Sequence, residues 1–128
     1  MNTKQVKVAE VTHMLTNVMQ AVLGNKEVVN YRVRFGPYAI HIEDVISDIA
    51  NSFLEKYSLQ YVSGSVIATE GNLKRPLMVC RLQYEDNKRF RKEQTGRIQS
   101  IVFQPEIATS PNATLEELQQ LIQMKFTS

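Results

Sequence analysis

The stretch Ile42 to Tyr57, IEDVISDIANSFLEKY, restricts the fold more than any other. Ile42, Val45, Ile46, Ile49, Phe53 and Tyr57 recur at steps of three and four residues, so they share one stripe of a 3.6-residue helix. Glu43, Asp44, Ser47, Asp48, Asn51, Ser52 and Glu55 occupy the other faces. Glu43 and Asp44 fall in the first turn and Lys56 in the last, the ends where the helix dipole favours each sign of charge. A helix with one apolar stripe has to cover it, and strand-like runs lie on both sides of this one to do so. An ordinary solvated surface is the default for its acidic face, with a binding surface or a catalytic carboxylate cluster as the alternative.

Flanking segments supply the remaining elements. Val8, Val11, Leu15, Val18 and Val22 step by three, four, three, four, an a/d seam that predicts a helix from about Lys4 to Leu23, with Gly24-Asn25 as its stop. The seam is about two heptads long, too short for a self-standing coiled coil. Docking on a sheet is the default, and symmetric pairing with a second copy is the alternative. Val28 to Phe35 alternates with period two, Val29, Tyr31, Val33 and Phe35 on one side and Asn30, Arg32 and Arg34 on the other, which predicts a half-buried strand. Gly36-Pro37 ends it, and residues 38–42 fit a short extra strand before the central helix.

Beyond the central helix, Leu59 to Thr69 reads as a strand with a bulge at Ser63-Gly64-Ser65. Glu70-Gly71-Asn72 is turn chemistry, and Leu77 to Tyr84 is the returning strand, with Pro76 just before it. Ile98 to Phe103 is a further strand, closed by Pro105. Thr114 with Glu117 three residues on is a capping box, opening a helix whose stripe is Leu115, Leu118, Leu121, Ile122 and Phe126. The predicted fold is one α+β domain over residues 1–128, a mainly antiparallel sheet of about four strands with three helices packed on it, in the order α-β-α-β-β-β-α.

A chain of 128 residues with 43% hydrophobic and 22% charged side chains can bury a core of its own. The single cysteine, Cys80, rules out an intramolecular disulfide and fits a reducing, cytoplasmic setting. The first residues, MNTKQVKVAE, lack the apolar run of a signal peptide, and no run approaches the roughly 20 residues of a membrane span. No membrane partner is expected, and Asn112-Ala113-Thr114 is a chance sequon.

Few residues carry recognisable chemistry. The five glycines form neither GxGxxG nor a Walker pattern, and CxxC and HExxH are absent. His41 and Glu43 lack the further ligands a metal would need, so no metal and no cofactor is expected. Cys80 lies between Met78 and Leu82 on the apolar side of its strand, where a cysteine behaves as a small hydrophobe rather than a thiolate. The richest segment is Glu85 to Arg97, where Lys88, Arg89, Arg91 and Lys92 surround Phe90. Cations around an aromatic ring suit a phosphate backbone and a stacked base. The segment also holds Arg97, set against Glu85, Asp86 and Glu93, and Arg32, Arg34 and Arg81 would extend the patch if the polar sides of their strands line one sheet face.

The expectation is a non-catalytic interaction module, an adaptor, chaperone-like or assembly subunit that binds a protein partner or itself as a homo-oligomer, with Val8, Val11, Leu15, Val18 and Val22 as the interface. The alternative is nucleic-acid binding through the arginines and the 85–97 loop, and an enzyme comes third.

Overall fold

The computed structural model describes residues 5–85 and 95–120. The first described α-helix is α1 (Val8–Leu23). Three short strands follow, β1 (Glu27–Val29), β2 (Arg32–Phe35) and β3 (Tyr38–His41). Helix α2 (Ile42–Leu54) runs into a 3-10 turn at Glu55–Tyr57. The second half is β4 (Leu59–Val62), β5 (Ser65–Glu70), β6 (Leu73–Tyr84) and β7 (Gly96–Pro105). A third helix, α3, begins at Leu115 and is described through Gln120. All seven strands join one sheet in the order β3-β2-β1-β7-β6-β5-β4, and every pairing is antiparallel.

Seven strands correct the expected four, and tight turns account for the difference. The run from Val28 to Phe35 is not one strand. Asn30 and Tyr31 both take positive φ, 52° and 68°, and reverse the chain between β1 and β2. Two consecutive left-handed residues match the twist of a tight hairpin. Asparagine tolerates that conformation and tyrosine does not, so the period-two pattern ran through a turn that no glycine announced. The reversal also changes parity: Val28 pairs with Val33 and both are buried, while Val29 is 62% exposed. Likewise Ser63-Gly64 (φ 47° and 88°) is a hairpin turn rather than a bulge and divides the run from Leu59 to Thr69 into β4 and β5. Pro76 sits inside β6, at the register shift opposite Ile67, where the ladder is already irregular.

The helices agree with their patterns, with small rotations. The buried line of α2 is Ile42, Val45, Ile46, Ala50 and Leu54, while Ile49, Phe53 and Tyr57 pack at its margin. The α-helix ends at Leu54, so Lys56 belongs to the 3-10 turn. In α1 the chain stops through Asn25, at φ 66°, while Gly24 is needed for space: a Cβ there would lie 2.5 Å from the Gln20 carbonyl oxygen. Thr114 Oγ1 accepts from the Glu117 N–H, capping α3; Leu115 and Leu118 are buried, and Leu121, Ile122 and Phe126 lie outside the described residues. One apolar cluster runs from α1 through the inner faces of the strands to α2 and α3. No described helix is long and apolar enough to cross a membrane.

Candidate functional site

Three backbone edges need covering in this sheet, and among the described residues two are covered. β7 extends well past the short β1, and α1 lies along the exposed part: Thr16 Oγ1 accepts from the Phe103 N–H at 2.9 Å, and Ile98 exchanges backbone hydrogen bonds with Asn25 and Lys26. At the β4 edge, the Asn51 side chain of α2 accepts from the Tyr61 N–H at 2.8 Å. β3, at the other end, has no described strand on its outer side. Ile42 N–H donates to the Tyr31 carbonyl at 2.7 Å, and Phe35 to Arg32 pair with Tyr38 to His41. Antiparallel ladders alternate, so Tyr38 and Ile40 point their backbone groups at β2, while Ala39 and the His41 N–H point away from it.

The side chains of β3 leave that edge unguarded. Tyr38, Ala39, Ile40 and His41 are all exposed and none is Lys, Asp or Glu. Natural edge strands are usually protected by shortness, charge, proline or a covering element; β3 is four residues long and follows Pro37, so what it lacks is charge and a covering strand among the described residues. The inner-face row Val28–Val33–Ile40 runs from full burial on β1 and β2 to 37% exposure on β3, and Tyr38, beside Phe35, is 69% exposed. The apolar face thus continues past its covering. At the far end, His41 stacks on Tyr31 at 5.8 Å with an interplanar angle of 7°, and its Nδ1 accepts from the Glu43 N–H as the cap of α2. Sequence reasoning found this strand but not its position, because strand order is set by long-range pairing.

The arginines of the sheet sit on one face, the condition that spacing alone left open. Arg32, Arg34, Arg81 and Arg97 alternate with inward-facing core residues and point outward from β2, β6 and β7. The cross-strand row through Arg97, however, alternates in sign. Continuing the β1–β2 register by one step brings Arg34 opposite Glu27, Glu27 pairs with Arg97, and Glu85 N–H donates to the Arg97 carbonyl. Arg97 lies 3.9 Å from Glu27 and 4.0 Å from Glu85. Arg81 donates to Gln104 Oε1 at 2.9 Å. Lys88, Arg89, Phe90, Arg91 and Lys92 lie outside the described residues.

The helical seam is used within the chain itself. Val8, Val11 and Leu15 are at most 1% exposed against the sheet, while Val18 and Val22 are half-buried. Buried side chains of this kind are not free to meet a second copy while the fold is intact.

Cys80 faces Glu43 and Tyr61 rather than a histidine. Burial, and secondly the Glu43 carboxylate, push its thiol up to about 12. Burial first, and then its hydrogen bond to Glu43, hold the Tyr61 hydroxyl protonated far above the ordinary tyrosine range. Glu43 Oε1 is buried with no hydrogen-bond partner among the described residues. A thiol so far above neutral pH supplies almost no nucleophilic thiolate. A groove of ≈ 390 Å³ between α1 and β7 is lined by His13, Thr12, Thr16, Phe103 and Gln104, without a carboxylate or thiol. An open cleft between α2 and β4 has Asp48 and Glu55 but no histidine. No cluster of metal-binding side chains occurs among the described residues. Comparison with protein-family models, with curated proteins and with solved structures found no match to this chain.

Proposed function

We propose that the protein is a non-catalytic interaction module that takes up an extended protein segment along the outer edge of β3. The observation that carries this reading is the contrast between the edges: α1 covers β7 and Asn51 caps β4, while β3 offers outward backbone groups flanked by exposed side chains that include no Lys, Arg, Asp or Glu. Strand addition draws its affinity from main-chain hydrogen bonds and its selectivity from alternate side chains, here Tyr38 and Ile40.

Ala39→Pro tests it. The Ala39 N–H points away from β2, so proline removes a donor from the outer edge without breaking a bond inside the sheet, a position where proline is tolerated. The probe is a library of extended peptides, read by fluorescence anisotropy. Peptides that bind the native protein and are lost at least tenfold in affinity by Ala39→Pro, with the far-ultraviolet spectrum unchanged, support the reading. Peptides that bind both proteins equally reject it.

A second reading, nucleic-acid binding, draws support from the common face shared by Arg32, Arg34, Arg81 and Arg97 and from the position of Thr95, at one end of the basic segment, beside the β1–β2 turn: the Asn30 N–H donates to Thr95 Oγ1 at 2.9 Å. It requires affinity for single-stranded oligonucleotides that falls steeply with salt.

A further inference from the structure

We propose that the segment taken up by β3 is β3 of a second copy of this chain, paired antiparallel about a two-fold axis through Ala39, so that two seven-stranded sheets become one. The inference rests on the reading of β3 as a docking edge and names its occupant.

Parity selects the register. In an antiparallel pair, directly opposite residues point to the same face. A two-fold axis that keeps inner face with inner face therefore passes through one residue and its own copy. Centred on Ala39, it sets the two Ala39 residues opposite each other as a hydrogen-bonded pair, each N–H donating to the other's carbonyl. Tyr38 then stands across from Ile40 of the second copy, twice by symmetry, on the inner face. Aromatic against β-branched is among the favourable cross-strand pairs. The two exposed ends of the apolar rows, Val28–Val33–Ile40 and Phe35–Tyr38, then cover each other.

The next pair out fits the chemistry of both residues. His41 falls opposite Pro37 of the second copy. Proline has no N–H to offer, and the His41 carbonyl, as the cap of α2, already accepts the first helical hydrogen bond. Only the His41 N–H needs a partner there, and the Pro37 carbonyl lies on that side. The alternative axis through Ile40 sets Tyr38 against Ile42, where the chain has already turned into α2. Charge raises no objection. The strand carries no Lys, Arg, Asp or Glu, and the two Arg34 side chains stand about three strand spacings apart, roughly 14 Å, beyond the screening length of physiological salt.

A junction of this length is small beside a standing dimer interface of 1,200 Å² or more, so the association is reversible and concentration-dependent. The experiment is cysteine trapping combined with sedimentation. Opposed residues of a hydrogen-bonded pair have Cα atoms about 5.5 Å apart, within disulfide reach. Ala39→Cys is expected to form a symmetric disulfide dimer under mild oxidation at least tenfold faster than Ile107→Cys, whose side chain is the more exposed at 97%. Tyr38→Cys crosslinks with Ile40→Cys faster than either does with itself. Native Cys80 gives a quiet background, because its thiol titrates at about 12. In sedimentation equilibrium the native protein shows a monomer–dimer equilibrium that Ala39→Pro removes. Equal trapping of Ala39→Cys and Ile107→Cys, or a native monomer at every concentration, overturns the two-fold pairing. Peptide binding that remains sensitive to Ala39→Pro in that case leaves the docking edge standing with another occupant, whereas loss of both effects rejects the edge itself.

Discussion

Arg97 on β7 stands directly across from Glu27 on β1, its Nη2 3.9 Å from Oε1, and is flanked on its other side by Glu85 at 4.0 Å. All three side chains are about half exposed or more, so each pair is screened and contributes roughly 0–1 kcal/mol. The importance of the row lies in its sign pattern, Arg34, Glu27, Arg97, Glu85, in which both cations of the row have an acid beside them. Retention on heparin is therefore expected to be weak. Glu27→Gln with Glu85→Gln should move elution to higher salt, because two acids that mask the face are gone. Unchanged elution would mean that the face does not set the protein's affinity for polyanions.

The seam of α1 gives a prediction of the opposite character. Val11 and Leu15 are sealed between α1 and the sheet. Leu15→Ala should lower stability by about 2–5 kcal/mol, the usual range for a buried leucine whose cavity cannot collapse. Val11→Asp should give a protein that fails to fold, rather than a folded monomer released from an oligomer. Urea unfolding followed by circular dichroism checks both, and a folded, well-behaved Val11→Asp protein would contradict the burial.

How far the sequence reveals this fold depends on which interactions are local. The stripe of α2, the seam of α1 and the cap at Thr114 follow from spacing within one element; α2 and α3 begin where those patterns place them, while α1 begins at Val8, later than the expected Lys4. The alternation that set Arg32, Arg34 and Arg81 on polar faces is also local, and it is retained. The hairpin at Asn30-Tyr31 was hidden because neither residue is glycine and because Val29, Tyr31, Val33 and Phe35 keep a false period across it. Edge status cannot be read locally at all. It depends on β1 meeting β7 through Glu27–Arg97 and Val28–Gly96, residues about seventy positions apart in sequence. The same long-range contact brings Glu27 and Glu85 beside Arg97, which turned an expected basic platform into an alternating row.

Two partly buried acids packed against the core, Cys80 and Tyr84, predict how the protein fails in base. Cys80 rises from 9.0 to about 12 and Tyr84 from 10.0 to about 12, both mainly through burial. In each case the folded state holds its proton more tightly than the unfolded chain. The stabilising contribution is complete below about pH 9, where both states are protonated, and declines as pH rises from about 9 towards 12, where only the unfolded chain ionises. Urea midpoints should therefore be flat from neutrality to about pH 9 and fall above it. Alkylation of Cys80 by iodoacetamide should stay slow across the same interval. Glu43→Gln should accelerate it, because a charge that opposes thiolate formation is removed. Rapid labelling at pH 8 in the native protein would show that the thiol is neither buried nor raised.

The closed edge of the sheet supplies the control for the open one. Asn51 Oδ1 accepts from the Tyr61 N–H, and its Nδ2 donates to Ser47 Oγ, so one side chain of α2 both caps β4 and is held in place by its own helix. Asn51→Ala leaves the Tyr61 N–H without that acceptor. An unsatisfied, largely buried donor costs about 1–3 kcal/mol, which should appear as a lower denaturant midpoint. It should also convert β4 into a second unguarded edge, so that light scattering on slow heating rises earlier than in the native protein. Asn51→Asp keeps the acceptor and should restore much of the midpoint, which separates loss of the cap from loss of packing. If β3 is the edge through which the chain associates, Asn51→Ala should leave Ala39→Cys trapping unchanged, since the two edges lie at opposite ends of the strand order.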